Sequence, residues 1–257
     1  MYSIITAVLL MNTMTLANEI KNNEPTVLSD VEVSEKSTDE NITENSTSYT
    51  IQSMSSPTKM NISLLNTPQS ISVVTSEQMK DYDLNTINDI LDKTTGITVE
   101  KMESDRTSFT SRGFDIKNFL IDGVSLPMNY SYQYGDVDMA IFDHIEITRG
   151  ATGLTSAHGD PSATINMVRK KPTKEFQGSI KGSLGSWNKK RVDADVSGSL
   201  SENVRARLIV AKENTDSYLD RYESDSLLLS TILEADISDN SLLTMSLTRY
   251  DDKNDGA

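Results

Sequence analysis

The chain contains no cysteine, so disulfide frameworks, thiolate metal sites and cysteine nucleophiles are excluded together. Imidazole is nearly absent as well. His144 and His158 are its only histidines, and neither has a metal-ligand neighbour four residues on, which argues against a histidine-based catalytic site or metal site. Positive charge is in deficit: 24 Lys and Arg stand against 38 Asp and Glu, a net charge of −14. No basic stripe is then available to neutralise phosphates, so nucleic acid is excluded as a partner. Long apolar runs are missing too. The one candidate, residues 4–16, is too short to span a bilayer and ends at Thr15-Leu16-Ala17, with small residues at cleavage positions. Residues 1–17 are therefore expected to be a secretory signal peptide, although its positive n-region is reduced to the α-amino group.

Residues 18–58 are rich in Ser, Thr, Asn and Glu and almost empty of aromatics up to about position 56, too polar to offset the entropy of ordering. A mobile linker is expected there. Within it, Thr26-Val27-Leu28-Ser29-Asp30-Val31-Glu32-Val33 alternates apolar and polar side chains with β-branched residues, the pattern of a strand without a partner.

From residue 59 to 173 the texture becomes that of a compact α/β module. Residues 71–75 predict a strand, and Thr75 with Gln78 predicts a capping box opening a short helix. Asn85 is expected to cap a second helix, in which Ile87, Ile90 and Leu91 recur at helical spacing and Gly96 marks the stop. Further strands are predicted at 97–102, 108–111, 118–121, 144–148 and 164–169.

After Pro172 the period switches to two. Phe176, Gly178, Ile180, Gly182 and Leu184 share one face of a strand; Val192, Ala194, Val196, Gly198 and Leu200 repeat this against Arg191, Asp193, Asp195, Ser197 and Ser199. Strands continue at 204–212, 227–237 and 242–250, with tight turns at 201–203 and 238–240, a longer loop at 215–225, and the start of another loop at 251–257. Alternation over about ten residues with a charged inner face is the signature of a transmembrane β-barrel, and the hydrophobic content of 36% suits a polar lumen. A soluble β-sandwich has the same period, so periodicity alone leaves both open.

Residues 144–173, HIEITRGATGLTSAHGDPSATINMVRKKPT, together with RGF at 112–114 and IDG at 121–123, decide between them. They closely resemble the plug domain of TonB-dependent ferric-siderophore receptors. The resemblance implies an α/β plug, a mixed sheet with short helices, followed by the first five antiparallel strands of a truncated barrel of about 22 strands. Since five strands cannot close, and an open edge in hydrocarbon leaves backbone groups unsatisfied, the chain is expected to be the N-terminal part of a larger receptor. It further implies a ferric siderophore as ligand, TonB with its ExbB/ExbD inner-membrane complex as partner, outer-membrane lipid around the barrel, a Gram-negative outer membrane as location, and transport without catalysis. No cofactor or metal site is implied, because iron travels inside the chelate.

The family's TonB box falls on Asp30, Val31, Glu32, Val33, Ser34 and Glu35. Arg112 and Arg149, at the RGF and RGATGL positions, are expected to lock the plug by pairing with glutamates of later barrel strands; pairing inside the plug through Asp122 or Glu146 is the alternative. Gly113, Gly123, Gly150, Gly153 and Gly159 are read as architectural. A phosphate cradle is rejected, since no P-loop Lys-Ser/Thr follows them. Tyr130, Tyr132 and Tyr134 with Gln133 lie in the polar loop 126–139, which the resemblance puts at the plug's extracellular apex, where rigid amphipathic rings suit a chelate. Haem or cobalamin as the chelate, and a secreted plug-like binding or adhesion module, are the alternatives.

Overall fold

The computed structural model describes residues 42–51, 53–54, 62–67, 69–126, 132–150, 161–238 and 240–255. The chain divides into two units, 1–37 and 38–257, and every described residue belongs to the second. The signal peptide, the 30–35 box, Tyr130, Gly153 and Gly159 lie outside the described residues.

Two short strands, β1 (Ser53–Met54) and β2 (Ile62–Ser63), pair first. The main sheet of the α/β module orders its strands β3 (Ser70–Val74), β10 (Phe142–Arg149), β11 (Ala163–Arg169), β7 (Asn118–Ile121) and β8 (Val124–Leu126). β10 lies antiparallel between β3 and β11, while β11 runs parallel to β7. A central strand covered on both faces must bury nearly everything it carries, and β10 is buried from Phe142 to Thr148. Ile145 and Ile147 enter the apolar core with Ile87, Ile90, Leu91 and Ile165; His144, Glu146 and Thr148 alternate onto the opposite face. The second sheet comprises β4 (Thr98–Lys101), β5 (Arg106–Ser111), β6 (Phe114–Asp115) and β9 (Tyr132–Tyr134), the last pairing with β5. Phe109 and Phe119 join the two sheets at a ring separation of 5.5 Å.

Two hairpins turn on residue pairs with positive φ at both positions, the geometry that matches strand twist. Asp122 (48°) and Gly123 (78°) join β7 to β8; Arg112 (55°) and Gly113 (81°) join β5 to β6. Glycine meets this demand freely, whereas Arg112 adopts it at a cost of about 1–2 kcal/mol. Helix α1 (Ser76–Asp81) starts on Thr75, whose hydroxyl accepts the Gln78 N–H; the reciprocal bond from the Gln78 side chain, which would complete the expected capping box, does not form. Helix α2 (Ile87–Lys93) is capped by Thr86 rather than Asn85, because Thr86 and Asp89 complete a reciprocal capping box one residue later.

The five-stranded meander runs in chain order: β12 (Gln177–Leu184), β13 (Lys190–Ser201), β14 (Val204–Asp216), β15 (Glu223–Ser238) and β16 (Ser241–Asp255). Two boundaries differ from expectation. The long loop shrinks to 217–222, and residues 251–255 extend β16 instead of opening a loop, since Asp251 and Asp252 pair in register with Leu227 and Ser226 of β15. One face exposes Ile180, Leu184, Val196, Leu200, Leu208, Leu229, Leu233, Met245 and Leu247; the other turns Ile209, Ala211 and Leu228 into the core of the α/β module and carries the charged residues described below. No described helix is long and apolar enough to cross a membrane, which says nothing about crossing by strands.

The packed part also starts earlier than expected. Thr43 and Met54 are fully buried, so a linker running unbroken to residue 58 is corrected: Thr43 is bound to Asp143 and Met54 pairs with Ile62, contacts that composition does not reveal.

Candidate functional site

The seam between the α/β module and the meander is closed by two arginine-centred clusters. On β13, buried Arg191 forks onto Asp138, with Nη1 donating to Oδ2 at 2.7 Å and Nη2 to Oδ1 at 2.9 Å, while its Nε donates to Asp193 and Nη1 reaches Glu213 of β14 at 3.2 Å. Asp138 is aimed by local structure: it caps the 3-10 turn Met139–Ile141 and accepts the Ala140 N–H at 2.8 Å. On β14, buried Arg207 takes both oxygens of Glu44 at 2.6 Å each, both oxygens of Asp195 on β13, and the Lys171 carbonyl at 2.9 Å. Lys170 adds a contact to Asp195 at 3.0 Å. A planar five-donor fork can grip one carboxylate through two parallel bonds and still reach a second, a geometry that an ammonium does not offer. Around these anchors, Lys181 reaches Asp83 at 2.6 Å, Asn254 donates to Asp105 at 2.8 Å, and Arg169 joins Asp122 at 2.6 Å and the Ser246 hydroxyl. Between the modules lie cavities of about 540 and 230 Å³, the smaller lined by Asp105, Asp136, Asp138, Glu213 and Asp252.

Arg112 and Arg149 are not part of this seam. Arg149 donates to the Thr95 carbonyl and, through Nε and Nη2, to the Ser70 hydroxyl at 3.2 Å; Arg112 is exposed at its hairpin tip, close enough to Gly150 that a Cβ there would lie 3.1 Å from Nη1. Gly150 has φ of +100°, a conformation that strains any other residue, whereas the exposed Arg112 guanidinium could move aside. Among the described residues neither arginine has a carboxylate within ion-pair distance. The alternative of pairing through Asp122 or Glu146 is not what forms, because Asp122 is taken by Arg169 and Glu146 by Asn166 and His144.

In β9 the alternation separates the predicted ligand residues. Tyr132 and Tyr134 share one face, Tyr134 being 62% exposed, and the Arg106 guanidinium lies 5.9 Å from the Tyr132 ring centroid. Gln133 points the other way, is buried, and gives its amide to the Gly135 carbonyl at 3.2 Å, so it does not stand beside the tyrosines.

Behind the sheet runs a buried polar chain. The Gly123 N–H donates to Asn166 (2.8 Å), Asn166 to Glu146 (2.7 Å), and His144 lies between Glu146 (3.5 Å) and Asp143 (2.6 Å). Asp143 in turn accepts the N–H groups of Thr43 (2.7 Å) and Glu44 (2.8 Å). Burial opposes charge on His144, but the hydrogen bonds to Asp143 and Glu146 outweigh it and push the ring up to about 9. Burial likewise opposes ionisation of Asp143; His144 and the two backbone donors overcome it and hold the carboxyl below its usual range.

Comparison with known proteins interprets this arrangement. Residues 63–164 match the family model of the TonB-dependent receptor plug domain. The chain is 42% identical over 221 residues to the ferripyoverdine receptor of Pseudomonas aeruginosa, covering 84% of this chain and 27% of that protein. It is 39% identical over 225 residues to the ferric-pyoverdine 358 receptor of Pseudomonas putida, with the same coverage. Among solved structures, the P. aeruginosa ferripyoverdine receptor bound to ferripyoverdine superimposes with a TM-score of 0.78 at 41% identity, over 84% of this chain and 30% of that one. The alcaligin outer-membrane receptor of Bordetella pertussis gives 0.75 at 38% identity, over 82% and 37%. The chain belongs to the TonB-dependent receptors. It spans little more than a quarter of the length of the curated relatives, their plug with the first barrel strands.

With plug and barrel identified, the residues that sequence reasoning passed over stand out. Alternation puts Arg191 on the charged face but gives it no partner, and Arg207 lies in the expected strand 204–212 with no role read for it; Asp138 and Glu44, nearly 100 residues apart, carry no motif. Arg106 falls between the strands expected at 97–102 and 108–111, whereas it opens β5. The imidazolium permits a further prediction. A histidine whose folded pKa lies above its unfolded value of 6.5 contributes stability that is fully present below pH 6.5 and is lost as pH rises through about 9. In the full-length receptor labelled with ¹³C-histidine, the His144 ring should titrate near 9, and plug protease resistance should decline between pH 7 and 10 in the parent but not in His144→Gln. Titration of the ring near 6.5 refutes this assignment.

Proposed function

We propose that the full-length receptor imports a ferric siderophore across the outer membrane of a Gram-negative bacterium, energised by TonB with its ExbB/ExbD complex. The observation that carries this reading is the plug's seat: an α/β module held by buried ion pairs on the charged face of a sheet whose other face is apolar and exposed, which is the layout of a plugged membrane barrel. In this reading Arg112 and Arg149, without carboxylate partners among the described residues, pair with carboxylates of later strands. Tyr130, Tyr132 and Tyr134, joined by Arg106, contact the chelate at the apex, and residues 30–35 engage TonB by strand addition. Iron is cargo within its chelate. Since the relatives include receptors named for ferripyoverdine, that chelate is the first ligand to test.

The experiment is uptake of radiolabelled ferric siderophore by a receptor-deficient Gram-negative host expressing the full-length protein. Uptake that requires both the receptor and TonB supports the reading; uptake of haem or cobalamin but of no ferric siderophore overturns it. Stacking of one tyrosine contributes on the order of 1 kcal/mol beyond its buried area, so changing Tyr130, Tyr132 and Tyr134 together to alanine is expected to weaken siderophore binding about tenfold or more. The amount of folded receptor should not change. Unaltered affinity would move the ligand site to barrel loops outside this chain.

A further inference from the structure

Residues 43 and 44 are tied in two directions at once. Their backbone N–H groups occupy both carboxylate oxygens of Asp143, at the start of the plug's central strand, and the Thr43 hydroxyl donates to the Asp143 carbonyl at 3.0 Å and accepts the Ser76 N–H at 2.9 Å. The Glu44 carboxylate is meanwhile clamped by Arg207 of the barrel wall through two hydrogen bonds of 2.6 Å. Thr43 and the Arg207 side chain are almost wholly excluded from solvent, whereas Asn45, Ser46 and Thr47 immediately after them are exposed. The tie is also the end of the polar chain that begins at the Gly123 turn, so Asp143 is held ionised by His144 while it grips the two N–H groups.

We infer that Thr43 and Glu44 form a latch through which tension on the N-terminal segment reaches the plug's central strand and its seam with the barrel, and that the Glu44–Arg207 pair is the first contact to part. The geometry explains why. A pull arriving from before residue 43 meets this knot ahead of every strand of the main sheet, and the two grips differ in kind. The backbone donors of residues 43 and 44 are bound to Asp143, which moves with β10; the Glu44 carboxylate is bound at 2.6 Å to Arg207, which belongs to the wall and stays, and is only loosely paired, at 3.8 Å, with Lys170 of the plug. Tension therefore loads the ion pair in shear between plug and wall. Once it opens, Arg207 remains neutralised by Asp195, so the wall does not inherit an unpaired charge. Glu44 and Arg207 are positioning residues for plug movement and touch no ligand. The inference rests on energised import, but its latch is testable without transport.

The test uses purified full-length receptor in lipid, without TonB. Glu44→Gln keeps the side chain's shape and removes its charge, so the 42–50 segment should open more often. Because cleavage follows the population of the open form when reclosing is fast, proteolysis there is expected to rise about tenfold or more over the parent. Siderophore affinity and the heat-modifiability of the barrel should stay unchanged, and Lys181→Ala, which removes an exposed plug–wall pair, should leave segment cleavage at the parental rate. In single-molecule pulling from the N-terminus, the first rupture should shift to lower force in Glu44→Gln. Parental cleavage and an unshifted first rupture overturn the latch. So does an equal loss of siderophore affinity, which would make the pair a general stabiliser of the plug. Failure of the parent to import any ferric siderophore would remove the proposed function while leaving these readings of the latch intact.

Discussion

Replacing Arg191 by alanine is expected to loosen the plug from the barrel wall by about 3–5 kcal/mol, the penalty for leaving buried carboxylates without their cation. Asp138 and Arg191 have side chains only 4% and 2% exposed, and Glu213 shares the same guanidinium, so its loss strands two carboxylates that the one cation had paired. Hydrogen exchange measured on the full-length receptor is the appropriate readout, because it reports local opening. Amides at 138–148 should exchange roughly two to three and a half orders of magnitude faster in Arg191→Ala, while those of β15 change little. Arg191→Lys should recover only a small part, since an ammonium cannot fork onto Asp138 and still reach Asp193 and Glu213. Adding Asp138→Asn to Arg191→Ala should recover more, by removing one of the stranded charges. Exchange within a factor of about three of the parent in Arg191→Ala would show that the seam does not depend on this cluster.

Proline at Val31 or Val33 is expected to abolish import while leaving ligand binding intact. If the alternating segment adds as a strand to TonB, each proline removes a backbone donor and fixes φ, so the added ladder breaks where it matters. The full-length receptor carrying either change should bind ferric siderophore with parental affinity and show uptake no greater than a host lacking TonB. Parental uptake by both variants would remove the box from residues 30–35. This result also separates handle from latch. The proline variants lose the point at which force is applied, whereas Glu44→Gln keeps that point and changes only what the force meets next.

The distribution of what could be read in advance follows the range of the interactions concerned. Alternation in 176–200 and 204–250 was local, and it placed all five barrel strands and the face on which Arg191, Asp193 and Asp195 lie. Asp122-Gly123 suits the type I′ hairpin that forms there, but the strand that closes it, β8, is only three residues long and gives no periodic signal. Boundaries were less legible: Thr86 displaced Asn85 as the cap of α2 because the reciprocal partner, Asp89, sits three residues beyond Thr86. The strand β9 was hidden in a tyrosine-rich loop, since three residues pairing with β5 leave no periodic signal of their own.

By itself, then, the sequence determined the two-module plan, the strand faces, the family and the absence of cysteine chemistry, all of which rest on composition, on short periods or on contiguous motifs. Only the tertiary structure decided which charges meet. Glu44 reaches Arg207 across 163 positions and Thr43 reaches Asp143 across 100, and no local pattern encodes such pairings. They arise because packing the plug against a charged wall excludes water there, and each carboxylate brought into that space must find a donor or raise the cost of folding.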